Sequence, residues 1–316
     1  MKIILFGAAG FIGTNLTIKL ACDSKNEITL VDKSKAFFEP IKKLGLNIRI
    51  IESDFSENTN FDSILIGQDV VYHLVSTTVP TTSNKHIADE LKANVVTTSC
   101  MLDACVRKGI NKVIFISSGG TVYGKEVNCP IKENISTDPI SSYGIQKVTI
   151  EKLLFLYQYL YGLDYRVIRL ANPYGPYQRP NGVLGAVTTF TYKALLNEEI
   201  LVFGDGSVVR DFIFIDDAIR GILNIVNGTN KHRTFNLGCG YGTSIQKVLL
   251  TIQKVLGCDM KIIYKEGRKV DVPINYLDIN RYEKAYGDLN PISLYVGIKK
   301  TADFIKSSYG IEGKMV

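Results

Sequence analysis

The sequence predicts an α/β fold, a doubly wound parallel sheet followed by a smaller C-terminal unit. Three observations carry this. Short apolar runs alternate with segments of helical period from the amino terminus to about residue 170. The first run ends in glycines spaced Gly7-x2-Gly10-x2-Gly13. Carboxylates and small hydroxyl residues recur where the later runs end, the edge at which an open α/β sheet holds its ligand.

Residues 2–6 are an apolar strand, too short for a secretory segment and breaking into glycine rather than a cleavage-like site. The glycine turn, with Phe11 and Ile12 inside it, lets backbone approach a pyrophosphate, and the helix that follows favours that charge at its N-terminus. The next strand, 27–31, ends in Asp32, where a carboxylate accepts bonds from an adenosine ribose diol and repels a 2′-phosphate. Asp32 therefore favours NAD over NADP, and Lys33 and Lys35 work against that preference. A third strand (47–51) leads to Asp54 and Phe55, and a fourth (70–74) ends in Leu74 and runs into Ser76-Thr77-Thr78. Residues 86–108 repeat Leu91, Val95, Met101, Leu102 and Cys105 at helical period. Asn94 lies among them, as a local hydrogen-bond partner or as a functional group; spacing leaves both open.

The fifth strand (112–116) meets Ser117-Ser118-Gly119-Gly120-Thr121. A helix then opens with Tyr143 and Lys147 four apart on one face and runs to about 161, stopping at Gly162. That spacing suits a phenol beside an ammonium that stabilises its ionised form. Tyr295 and Lys299 share the spacing, so it does not select a site by itself. The sixth strand (165–170) precedes Asn172 and a cluster of proline and glycine up to Gly185, which marks the crossing into a second unit. The expected division is 1–171 for the dinucleotide-binding domain, with 208–240 returning to it, and 172–316 for substrate.

Composition narrows the classes further. The net charge of +6 is scattered without the basic stripe that nucleic-acid binding needs, so no nucleic-acid partner is expected. No apolar run approaches the roughly 18 residues of a membrane helix. Six cysteines without a Cys-x2-Cys pair, and without the three histidines nearby, argue for reduced thiols in a cytoplasmic protein and against a metal site.

Taken in order, Gly7-x2-Gly10-x2-Gly13, Asp32, Asp54-Phe55, His73-Leu74, Ser117-Ser118, Val122-Tyr123-Gly124 and Tyr143-x3-Lys147 resemble the extended short-chain dehydrogenases, more narrowly the NAD-dependent sugar-nucleotide epimerase/dehydratase family of the UDP-glucose 4-epimerase type. The likeness continues through Arg169-x2-Asn172, Arg210-Asp211-Phe212, Asn236-x-Gly238 and Arg268. It implies a Rossmann-type fold, NAD as cofactor and inversion at C4 of a nucleotide-linked hexose, glucose/galactose or the N-acetyl forms. It implies Tyr143 as acid and base, with Lys147 binding the nicotinamide ribose and lowering the tyrosine pKa. Gly7, Gly10, Phe11, Ile12, Gly13, Asp32, Asp54, Phe55, Leu74 and Asn94 would complete the cofactor site. Asn172, Arg210 and Arg268 match positions that bind the substrate's diphosphate, and Asn275 a gate beside the sugar. A homodimer through the two long helices is also implied, although burial against the sheet would explain the same apolar faces.

Two positions depart from the pattern. Gly119 stands where relatives carry a hydroxyl on the reacting oxygen, so Thr121 or Ser118 is left to assist. Phe214 replaces a common histidine. Gly120-Thr121 also lacks the acid pair of a 4,6-dehydratase. Two rivals share the motifs: a reductase of a nucleotide 4-keto-6-deoxy sugar, and a non-catalytic NAD-binding protein.

Overall fold

The structure, a computed structural model, describes residues 1–80, 82–125, 128–180, 185–267 and 272–311. Its first half alternates strand and helix: β1 (Lys2–Phe6), α1 (Phe11–Leu20), β2 (Glu27–Asp32), α2 (Glu39–Lys42), β3 (Arg49–Glu52), α3 (Phe61–Ile64), β4 (Val70–His73), α4 (Ile87–Leu91), α5 (Thr97–Arg107), β5 (Lys112–Ser118), α6 (Ser142–Tyr161) and β6 (Asp164–Leu170). The remainder contains β7 (Asn172–Tyr174), α7 (Ala186–Leu195), β8 (Ile200–Phe203), β9 (Val209–Arg210), β10 (Phe212–Phe214), α8 (Ile215–Asn227), β11 (Thr234–Leu237), β12 (Thr243–Ser244), α9 (Ile245–Leu256), β13 (Ile262–Lys265), β14 (Ile274–Asn275), α10 (Asn280–Tyr286) and α11 (Leu294–Tyr309).

Among the described residues, seven strands form one sheet in the order β11-β6-β5-β4-β1-β2-β3. β1 pairs in parallel with both β2 and β4, so the winding reverses at β1/β4 and opens a crevice beyond the carboxyl ends there. The strands read as continuous apolar runs because helices cover both faces. All of β4 and four of the five residues of β1 are buried. On one face, Met101, Leu102 and Cys105 of α5 meet Ile150, Leu154 and Tyr157 of α6 over Phe6, Val71, Phe115 and Val167. Each such large side chain removed from water contributes about 1.5–3 kcal/mol.

Residues 86–108 are not one regular helix. Between α4 and α5 lies a π turn, Lys92–Val96. Side-chain hydrogen bonds cause it: Asn94 Nδ2 donates to the Glu90 carbonyl and to Thr77 Oγ1, while Thr97 Oγ1 reaches back five residues to the Lys92 carbonyl. These side chains compete with the ordinary ladder and widen one turn. α6 is regular, capped by the Ser141 side chain on the Gly144 N–H and ended by Gly162 in the left-handed conformation.

The chain divides into two compact units. The first takes Met1–Gly124, Ser136–Arg169 and Ile222–Phe235; the second takes Lys125–Ile135, Leu170–Gly221 and the chain from Asn236 onward. Within the second, β7 pairs with β10, β9 lies between β12 and β14, and β8 pairs with β13, with α7, α9 and α11 packed together. Tyr295 and Lys299 sit exposed on α11, a surface pair. No described helix is long and apolar enough to cross a membrane.

Candidate active site

The glycine turn is shaped to hold a dinucleotide. Gly7 has φ +78°, and a Cβ there would lie 3.0 Å from backbone atoms of Leu74 and Val75, so only glycine lets the turn rest on the chain leaving β4. A Cβ on Gly13 would come within 2.5 Å of the Ala8 carbonyl, which fixes how closely α1 packs on the turn. α1 starts at Gly10 with no side-chain cap and no acid in its first turn, leaving its N–H groups and positive dipole end for an anion such as a pyrophosphate. Phe11 and Ile12, half-buried, form that first turn.

At the end of β2, Asp32 Oδ2 accepts the Ala9 N–H at 3.0 Å and Oδ1 the Lys33 N–H at 2.9 Å. Each oxygen of a carboxylate has two acceptor positions, so one on each remains for a ribose diol. The lysine beside it points its ammonium over the Phe37 ring, 5.8 Å from the centroid. The residues present fit NAD. Asp54 is exposed, and the Phe55 ring packs on Phe6, Phe61 and His73 as part of the core. Leu74 contributes the backbone that faces Gly7. Asn94 is engaged locally, its Oδ1 accepting the Thr77 N–H at 2.9 Å, so its side chain pins the loop after β4.

β5 and α6 bring the proposed chemistry together. Tyr143 and Lys147 lie on one face of α6, the ammonium 5.5 Å from the phenol ring centroid. Lys147 Nζ donates to the Ile116 carbonyl at 3.0 Å and stands over Phe115. Burial pulls Lys147 down to about 8, opposed by Glu151. Burial pushes Tyr143 up to about 12, and the hydrogen bond from the Ser118 side chain is the interaction that favours its phenolate. The Lys147 ammonium is turned to a carbonyl and a ring, and desolvation is the largest influence on the phenol.

Thr121 lies in the loop packed on the first turn of α6, its carbonyl 2.7 Å from where a Cβ on Gly144 would sit. Its Oγ1 is buried without a hydrogen-bond partner. Gly119 is a buried turn residue and offers no hydroxyl. Ser118 and Thr121 are therefore both beside α6, one bonded to the phenol and one unpartnered.

In the second unit, Asn172 Nδ2 donates to the Asp211 carbonyl at 2.9 Å, and Arg210 Nη1 to the carbonyls of Val209 and Val272. Asn275 pairs with Arg210 across β14 and β9, and its buried Nδ2 has no partner. Arg268 lies outside the described residues. Asn172, Arg210 and Asn275 share one corner, which the Asp211 carboxylate staples by accepting N–H bonds from Cys239 (2.7 Å), Leu277 (3.3 Å) and Gly240 (3.4 Å). A Cβ on Gly238 would fall 2.3 Å from that carboxylate. Burial raises Asp211 to about 6.

Sequence reasoning gave no role to Glu151, Ser117 or Gln146. The signal was present: Glu151 is a charge four residues past Lys147 on the same face of α6. Gln146 is buried and joins Thr78, Glu90 and Ser142. No group of His, Cys, Asp and Glu among the described residues could hold a metal.

Residues 3–238 match the NAD dependent epimerase/dehydratase family. The chain is 30% identical over 313 residues to the UDP-glucose 4-epimerase of Mycolicibacterium smegmatis, covering 97% of this chain and 99% of that protein. The UDP-glucose 4-epimerase of Thermotoga maritima, solved with UDP-glucose, superposes with a TM-score of 0.90 at 31% identity, over 98% of this chain and 100% of the other. The UDP-glucuronic acid 4-epimerase of Bacillus cereus, solved with UDP-glucuronic acid and NAD, gives 0.88 at 28% identity over the same shares.

Proposed function

The chain belongs to the NAD dependent epimerase/dehydratase family, and from that premise we propose that it inverts C4 of a UDP-linked hexose through a 4-keto sugar. The observation that carries the reading is the Ser118–Tyr143–Lys147 arrangement at the end of β5, in the same unit as a glycine turn and Asp32 fit for NAD.

NAD, held by the glycine turn and Asp32, would supply the acceptor for the C4 hydride and its donor to the opposite face of the 4-keto sugar. The chain supplies positioning and proton transfer. Tyr143 removes the proton of the 4-hydroxyl and later gives it back. Ser118 donates to the phenol and stabilises its ionised form. Lys147 contributes positive charge and a donor for the nicotinamide ribose. Thr121, with its unpartnered Oγ1, supplies the hydroxyl missing at Gly119. Asn172, Arg210 and Arg268 hold the diphosphate, about which the sugar turns between the two transfers; arginine forks suit two phosphates better than lysines do. Asn275 is small enough to admit N-acetylated sugars beside the plain hexoses.

Net oxidation is zero, so the cofactor stays bound. Purified protein should convert UDP-glucose to UDP-galactose with no added nucleotide and no net gain of reduced nicotinamide absorbance. Stoichiometric consumption of NADH by a 4-keto-6-deoxy sugar nucleotide would favour the reductase reading instead. The same reading takes the protein as a cytoplasmic homodimer. Its support is the apolar strip Phe155, Tyr159 and Leu160, each more than half exposed along α6, with Val96 on the π turn.

A further inference from the structure

Ser117, Tyr123, Glu151 and Arg169 form a polar cluster that proton and hydride transfer do not use, and none is more than 7% exposed. Glu151 accepts the Ser117 hydroxyl at 2.5 Å and the fork of Arg169 at 2.6–3.2 Å. Arg169 Nη1 donates to the Tyr123 hydroxyl at 3.0 Å, and its guanidinium lies 4.8 Å over that ring. Side chains of β5 and β6 thus meet at one carboxylate of α6, and the loop after β5 joins them through Arg169.

The cluster lies one helical turn past Lys147, as Lys147 lies one turn past Tyr143, all on one face of α6. Lys147 is 6% exposed as a residue, with a carbonyl and the Phe115 ring against its ammonium. An ammonium so placed loses its proton readily unless negative charge is near. On the elements around α6, the other titratable groups include His73 at the end of β4, Asp89 and Glu90 on α4, and Cys100, Asp103, Cys105 and Arg107 on α5. Burial lowers His73 to about 3, so it is neutral at neutral pH. Glu90 accepts from Gln146, and Asp103 from Tyr157. Tyr143 and, on β6, Tyr165 are neutral phenols, both pushed up by burial. Glu151 is the carboxylate one turn from Lys147.

We propose that Glu151 and Arg169 are paired positioning residues for the site, Glu151 keeping Lys147 protonated and Arg169 limiting the charge that Lys147 feels. Through Ser117 the same pair fixes the end of β5, and with it Ser118, against α6. The proposal deepens the reading above, since it takes Lys147 to serve Tyr143, but its test needs no substrate.

The test is a carbon-13 NMR titration of lysine Cε in the purified protein, with Lys147 assigned by the signal lost in Lys147→Met. Glu151→Gln should lower the Lys147 midpoint by about one pH unit, and Arg169→Gln, which leaves the carboxylate unneutralised, should raise it by about as much. The double variant should return it close to wild type. Ser117→Ala removes no charge and a single hydroxyl, so it tests the proposal even if a single charge variant fails to fold. It should raise the midpoint by a few tenths of a unit, since the carboxylate loses a donor. Shifts of one sign in both charge variants, or a midpoint that Ser117→Ala leaves unmoved or lowers, overturn the proposal. Epimerase pH profiles of the same variants are a separate measurement: an inactive wild type counts against the proposed function and leaves the titration standing.

Discussion

Replacing Asp211 by asparagine should destabilise the protein at low pH and lose that effect as pH rises, a dependence whose sign is fixed by burial. The carboxylate is fully buried and accepts three backbone N–H groups, Cys239 on Oδ1 and Gly240 and Leu277 on Oδ2. An amide keeps one oxygen and turns an NH2 against the donors on the other side. Orphaning a buried donor costs about 1–3 kcal/mol, so the loss at low pH is about 2 kcal/mol. At about 2–4 °C per kcal/mol, Tm falls by roughly 4–8 °C. Burial raises Asp211 from its ordinary 3.8 to about 6. A raised folded pKa contributes stability that is whole below the unfolded value and is lost as pH rises through the folded one. The difference is worth about 3 kcal/mol at about 1.4 kcal/mol per unit. Asparagine does not titrate, so the gap in Tm between wild type and Asp211→Asn should close and then change sign between about pH 4 and pH 7, because the roughly 3 kcal/mol that wild type loses exceeds the roughly 2 kcal/mol cost of the amide. Differential scanning fluorimetry across that range reads it directly. A gap that stays constant or widens with pH would show that the three N–H bonds hold the folded carboxylate ionised.

Other outcomes follow from the site. Thr121→Val should raise Tm, because an unpartnered buried hydroxyl is removed, and lower kcat at least tenfold if that hydroxyl meets the sugar; unchanged kcat would shift the role to Ser118. Ser118→Ala should reduce kcat about a hundredfold with little change in thermal unfolding, since its loss is felt at the Tyr143 phenol. Asp32→Ala should weaken NAD binding about a hundredfold by equilibrium titration, through two lost bonds to a charged acceptor; tighter NADP binding in the same variant would confirm the 2′-phosphate repulsion.

Much of the fold was written in residues whose physics is local. The apolar runs ending in Gly7, Asp32, Leu74 and Ser117 placed β1, β2, β4 and β5 within a residue or two, because strands covered on both faces cannot hide their composition. Gly162 ended α6 for the same kind of reason. The π turn was not legible, since it arises when Asn94 finds Thr77, seventeen residues away in sequence but adjacent in space. The direction of the Lys147 ammonium was not legible, because four-residue spacing says nothing of where it points, and it points at Ile116. Glu151 and Asp211 were hidden for a related reason: a carboxylate in sequence looks like surface until the N–H groups or guanidinium around it are known.

The proposed chemistry stands or falls on Tyr143 as the acid and base beside a captive NAD. The decisive variant is Tyr143→Phe, assayed for UDP-glucose/UDP-galactose conversion while mass spectrometry of the same preparation counts bound NAD. The expected result is a folded protein with wild-type NAD content and turnover reduced at least a hundredfold. Turnover near wild type with NAD in place would remove Tyr143 from the reaction.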